Sequence, residues 1–249
     1  RSTLSQKHMD IIHEKSQRSY YYSLFKEGAR IDPRPLWLVD INVHPKLGLS
    51  PKVLPVSSSK RSIHRAKPKF KDVRIKGEVE SEFLYGVVTG SELVPFGTLN
   101  PLPAILPIIP INGGYKVLRV RDAQKRGFLG LAKWLKKVEK IWAEKLKNKA
   151  EKMKIYDWLD YWGQLTSQNP NAKYKVVYPG PSATYLISSV IDNTKEYFIS
   201  LEGRRLRFKG VIIDVALFWY ETNDASEAYY LSAVLNSPII DALIKPVQS

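Results

Sequence analysis

Between Lys60 and Lys76 the chain sets eight basic residues, Lys60, Arg61, Arg65, Lys67, Lys69, Lys71, Arg74 and Lys76, against one acid, Asp72. A second cluster, Arg204, Arg205, Arg207 and Lys209, follows Gly203. Both read as lying in or beside loops, and the planar fork of arginine suits phosphates and guanine edges. The chemistry on offer is electrostatic. Lysine on phosphate gives affinity without sequence information, so any reading of bases falls to the arginines and to polar loop residues such as Asn42, Gln164, Asn169 and Asn171. Phe70, Tyr197, Phe198 and Phe208 are interleaved with or close to these clusters, an arrangement suited to stacking on an exposed base. The ordinary alternative is a solvated face. That alternative is the preferred one for a third group, the nine lysines between Lys133 and Lys154, because lysine is what solvates an amphipathic helix.

Bond-making chemistry has weaker candidates. His8, His13, His44 and His64 have no partner at metal-ligand spacing; His8 and His13, five apart, sit about 140° around a helix. Glu78, Glu80 and Glu82 suggest a carboxylate cluster, yet a solvated helix N-terminus explains them better. Asp214, with Glu221 beyond it, echoes a nuclease core without its spaced lysine. Asn100-Pro101-Leu102-Pro103 departs from the Asn-Pro-Pro-aromatic motif of amino-methylating enzymes at its third position and lacks the aromatic. There is no GxxxxGK[ST], GxGxxG or GxSxG. No catalytic residue, metal ligand or cofactor site is assigned to this chain.

The elements that must position these residues are mixed. The 249 residues, 44% of them hydrophobic, can bury a large core. The net charge of +15 favours a polyanionic partner, nucleic acid first and an anionic membrane surface second. Absence of cysteine excludes disulfides and thiolate sites, and it fits a reducing cytoplasm or thermal adaptation. No apolar run approaches the ~20 residues of a membrane span. A strand is expected over Leu36–Val43, an exposed loop over Pro51–Ser62, a helix over Val79–Val88, and a hairpin over Ile105–Val120 around Asn112-Gly113-Gly114. The clearest helix runs from Asp122 to about Lys154, with Leu131, Leu135, Val138 and Trp142 on one stripe. Short strands follow at Tyr174–Tyr178, Thr184–Ile191 and Tyr197–Leu201, then a basic turn over Gly203–Lys209 and a strand over Val211–Tyr220. The last element is a helix over Asp224–Leu235, with Asp224 and Glu227 as a capping box. This predicts an α+β fold: short-stranded sheets, one long amphipathic spacer helix and a C-terminal helix. The expected division is a β-rich part with the basic loop over 1–121, a helical spacer over 122–165, and a C-terminal α/β part over 166–249.

Several segments in order carry a resemblance. They are GARI (Gly28–Ile31) leading to PLWLV (Pro35–Val39), GEVESEFLYGVVTGSELVPF (Gly77–Phe96) with AILPI (Ala104–Ile108), and KYKVVY (Lys173–Tyr178) with SEAYYLSAVLNSPII (Ser226–Ile240). Together they resemble the C-terminal target-recognition region of N6-adenine DNA methyltransferases and methylase–restriction fusion enzymes. The final helix is similar to one in type I restriction specificity subunits. Relatives often show Gly-Arg-Asp-Ile where this chain has Gly90-Ser91-Glu92-Leu93. The resemblance implies sequence-specific binding of double-stranded DNA, with a methyltransferase domain as partner in the same or another chain. The S-adenosylmethionine loop and catalytic motif belong to that domain, expected upstream of Arg1. An RNA-binding module and a helical protein-interaction scaffold are the alternative readings.

Overall fold

The computed structural model describes residues 19–43, 50–146, 153–180, 183–201 and 203–244. His8, His13, His44, Lys147, Lys149 and Lys152 lie outside the described residues.

The fold is α+β, with its strands spread over several small sheets. The first half runs β1 (Lys26–Glu27), α1 (Arg34–Trp37), β2 (Val39–Ile41), β3 (Val53–Ser58), α2 (Lys60–His64), β4 (Lys76–Glu80) and β5 (Leu84–Val88). Next come β6 (Leu93–Val94), β7 (Gly97–Thr98), β8 (Leu102–Ile105), β9 (Ile108–Ile111) and β10 (Gly114–Val117). Three helices follow, α3 (Val120–Lys125), α4 (Leu129–Lys145) and α5 (Ile155–Leu159). The chain then forms β11 (Tyr174–Pro179), β12 (Ser189–Asp192), β13 (Phe198–Leu201), β14 (Arg204–Arg207), β15 (Val211–Ile213) and β16 (Leu217–Thr222). Helices α6 (Ala225–Leu235) and α7 (Pro238–Ile244) close it.

The sheets are ordered β1-β16-β11-β12, β2-β3-β4 and β15-β5-β8, with two-stranded pairs β6-β7, β9-β10 and β13-β14. Strands from both halves mix, since β15 pairs in parallel with β5 and β1 pairs with β16. One large core gathers Trp37, Phe83, Tyr85, Trp134 and Phe208, and a second surrounds Trp219.

Several expected elements take a different form: Leu36 and Trp37 of the expected strand over Leu36–Val43 belong to helix α1, and of Thr184–Ile191 only Ser189–Ile191 is strand. The segment over Val79–Val88 is two strands, β4 and β5, joined by a single tight turn at Ser81–Phe83. All five residues of β5 are buried, with Leu84, Tyr85 and Val87 in the large core and Val88 in the second, and a strand covered on both faces shows no alternation. The expected loop over Pro51–Ser62 contains β3 and the start of α2. The basic turn over Gly203–Lys209 is a strand, β14, entered through Gly203 at φ +76°. The helix expected from Asp122 is interrupted at Gly127, whose φ of +81° no right-handed helix accepts, so α3 and α4 are separate.

α4 does not stand clear of the body. Its stripe of Leu131, Trp134, Leu135, Val138 and Trp142 is buried in the large core. Gly130 is what lets it approach β4: a Cβ there would meet the Glu78 carbonyl oxygen at 2.5 Å. Glu80 then caps the helix, accepting from the Gly130 and Leu131 N–H groups at 2.9 and 2.8 Å. The hairpin around Asn112-Gly113 forms as expected.

Helix α6 starts at Asp224, which accepts from the Ser226 and Glu227 N–H groups. Glu227 does not complete a capping box. Its carboxylate accepts instead from the Tyr21, Tyr220 and Thr222 hydroxyls.

Candidate nucleic-acid interface

The first basic cluster is laid along α4. Phe70 stacks on Trp142 with ring centroids 6.4 Å apart, Lys145 pairs with Asp72, and Lys137 donates to the Lys76 carbonyl at 2.6 Å. These contacts run the 70–76 segment antiparallel to the helix, and Glu80 extends them to its first turn. Lys71, Arg74 and Lys76 are exposed along this seam. Lys133, Lys137 and Lys140, also exposed, lie within about 60° of one another on the helix beside it. Two of the three sequence clusters therefore form one strip. Asp72 does not interrupt it as a free charge, because Lys145 neutralises it. Glu144 is held by Lys140 at 3.9 Å.

The rest of the first cluster divides. Arg65, Lys67 and Lys69 are exposed and continue the strip toward α2. Arg61 turns away, its Nη2 lying 2.8 Å from the carboxylate of Glu92, which is 2% exposed and also accepts from Thr89 Oγ1. Lys60 is exposed, and its main-chain N–H is held by Asp40. Arg74 uses Nη1 on the carbonyls of Lys71 and Val73, which fixes the turn before β4.

The second cluster is on the β13-β14 hairpin. Arg204, Arg205 and Arg207 are exposed on β14 while Leu206 and Phe208 point into the core, a two-residue alternation. Arg205 lies over the Phe198 ring at 4.5 Å, and Arg207 pairs with Glu196 at 2.8 Å. Lys209, exposed, donates its main-chain N–H to the Leu84 carbonyl and so anchors the hairpin to β5.

The expected stacking residues fare unevenly. Phe70 and Phe208 are core residues, each 3% exposed, and cannot meet a base from outside. Asn42 is bonded to Ser57, Gln164 to Glu27, and Asn169 caps Asn171.

Missing from the sequence reading is an aromatic row that crosses several elements. Trp142 on α4 neighbours Trp158 on α5 at 6.0 Å, Trp158 neighbours Tyr161 at 6.2 Å, and Tyr161 stacks on Trp162 at 4.8 Å. Arg30 lies over both Trp158 and Tyr161. Trp162 is 83% exposed and holds a φ of +52°, a strained conformation for a bulky residue. Beside this row is a groove of about 720 Å³ lined by Phe70, Trp142, Leu146, Met153 and Trp158, with Arg34, Arg65, Lys67 and Lys69 at its edges. Only the basic half of that groove was legible as a motif; its aromatic half comes from residues far apart in the chain.

The buried charges serve the fold. Asp214, 1% exposed, meets Arg34 Nη2 at 3.1 Å and accepts from the Ala216 N–H. Burial pushes its carboxyl up to about 6, against the opposing pull of Arg34. Lys175 faces Glu221 across the β11–β16 pair, and burial lowers its ammonium to about 8. Among the described residues, no group of three His, Asp or Glu side chains is placed to hold a metal ion, and no helix is long and apolar enough to cross a membrane. Glu78, Glu80 and Glu82 sit on and after β4, not on a helix, and Glu80 is consumed as the cap of α4. No known family model matches the chain, and no curated protein matches it.

Proposed function

We propose that this protein binds double-stranded DNA as a target-recognition module, presenting the duplex to an N6-adenine methyltransferase or restriction–modification catalytic domain in the same or another chain. What carries the reading is the seam between the 70–76 segment and α4, which joins Lys71, Arg74 and Lys76 to Lys133, Lys137 and Lys140 in one cationic strip. Phosphates along a duplex present opposite charge in a row, and neutralising several of them releases counterions. The exposed arginines of β14 and the cationic edge formed by Arg65, Lys67 and Lys69 supply further contacts.

The segments resembling methyltransferase target-recognition regions support the biological setting. S-adenosylmethionine belongs to the partner domain, because this chain has neither its Gly-containing loop nor the Asn/Asp-Pro-Pro-aromatic motif. The adenine is then flipped into that domain while this module holds the flanking duplex. The setting is cytoplasmic, where DNA and such enzymes meet.

Binding curves for duplex DNA, structured RNA and single-stranded DNA, each at two salt concentrations, test the reading. Duplex preference with a steep salt dependence is expected. Preference for structured RNA makes the protein an RNA-binding module, and absence of binding to all three leaves a protein-interaction scaffold.

A further inference from the structure

The groove beside the aromatic row has a composition that the cationic strip does not require. Trp158, half-buried, offers it a ring backed by the buried rings of Phe70 and Trp142, and its volume of about 720 Å³ lies within the range of small-ligand sites. Trp142 is held in place by its indole N–H, which donates to the Met153 carbonyl at 3.0 Å. Trp158 is held by the rings on either side of it and by Arg30 above it. The wall is therefore fixed before any ligand arrives.

The edges are cationic. Arg34, Arg65 and Lys67 stand beside one acid among the described lining residues, Asp32. Arg34 already serves Asp214, but Arg65 and Lys67 are exposed and have no ion-pair partner among the described residues. An apolar peptide or an acyl chain would use the rings and leave these charges idle. A simple phosphate would use the charges and leave the rings idle. The chemistry that uses both is a nucleotide, with its base against Trp158 and its phosphate at Arg65 and Lys67. The groove also continues the strip, since Lys69 and Phe70 are followed directly by Lys71.

The geometry points to this groove as a subsite for a nucleotide whose base has left the stack, an unpaired or extruded nucleotide of a bound strand. This rests on the reading of the protein as a DNA-binding module, and it adds a base contact that phosphate binding alone does not give.

The test uses the full chain and three duplexes of one sequence: perfectly paired, carrying one bulged adenosine, and carrying an abasic bulge at the same position. Both bulges bend the helix, but only the first offers a base. The bulged adenosine is expected to bind about tenfold tighter than the abasic bulge, with quenching of tryptophan fluorescence. Trp158→Leu should erase that difference, and its unfolding curve shows whether the fold survives. Arg65→Glu with Lys67→Glu, both at exposed positions, should weaken both bulged duplexes and provides a second variant that leaves the core untouched. Equal binding of the two bulges, with salt-dependent duplex binding intact, overturns the subsite and spares the module. Quenching by free adenosine monophosphate without any preference between the bulges also overturns it, as a free-nucleotide site. Absence of DNA binding altogether removes the module reading and the subsite with it.

Discussion

Lys137 donates from Nζ to the main-chain oxygen of Lys76 at 2.6 Å, tying the first strand after the basic segment to the solvated side of helix α4. A lysine spent on a carbonyl rather than a carboxylate keeps its full charge. The seam therefore brings two cationic groups together without cancelling either, and Lys145 removes the one acid of the segment, Asp72. Self-repulsion along such a strip costs stability, and the apolar stripe of α4 in the large core offsets it.

Glu80 fixes where the helix begins, and its removal should register in stability. Glu80→Ala frees the Gly130 and Leu131 N–H groups, a loss of about 1–2 kcal/mol by analogy with N-cap substitutions. Thermal unfolding should shift down by roughly 2–8 °C, with Glu80→Gln falling between. An unchanged melting temperature would show that Glu80 is not the cap.

Gly130→Ala should destabilise, although helix propensity alone favours alanine by about 1 kcal/mol. The added Cβ would meet the Glu78 carbonyl oxygen at 2.5 Å, and backbone cannot swing aside as a flexible side chain can. Urea denaturation decides the sign. A more stable variant would mean that α4 sits farther from β4 than described.

Asp214 gives a pH dependence of definite sign. Burial raises its carboxyl from 3.8 to about 6, so the folded state holds the proton more tightly than the unfolded state does. Between those values the folded state binds more protons, and stability falls as pH rises. Relative to Asp214→Asn, the natural protein should lose about 2 kcal/mol between pH 4.5 and pH 7.5 in denaturant titrations. A difference between the two proteins that stays constant with pH contradicts this.

Charge reversal at Arg204, Arg205 and Arg207 together should weaken duplex binding several-fold and leave the fold standing, because all three are exposed on β14. Unchanged affinity in a gel-shift or anisotropy titration would remove the hairpin from the interface.

The sequence made some of this legible and hid the rest for physical reasons. Asn112-Gly113 announced its hairpin because only such residues accept the φ of +76° at Gly113. Asp224 announced α6 because a carboxylate satisfies the free N–H groups of a first turn. The spacing of Val79, Phe83, Leu84, Val87 and Val88 matched a helix, yet it arises from one strand, a tight turn and a second strand packed on both faces. Arg204 and Arg205 looked like a turn, since two adjacent exposed residues masked the alternation that Leu206 and Phe208 establish. The basic residues of the interface were visible because charge is local. The groove was not, because Phe70, Trp142 and Trp158 meet only once α4 and α5 have packed.

The most direct measurement of the central claim is the salt dependence of duplex binding for the natural protein and for a variant carrying Lys71→Gln, Lys76→Gln and Lys133→Gln. All three lysines are exposed, so their neutralisation spares the core. If they lie against phosphates in one strip, the slope of log affinity against log salt should flatten by roughly 0.9 for each phosphate that is no longer neutralised, and affinity should fall on every sequence alike. A variant with the same slope and affinity as the natural protein would contradict the presence of such a strip.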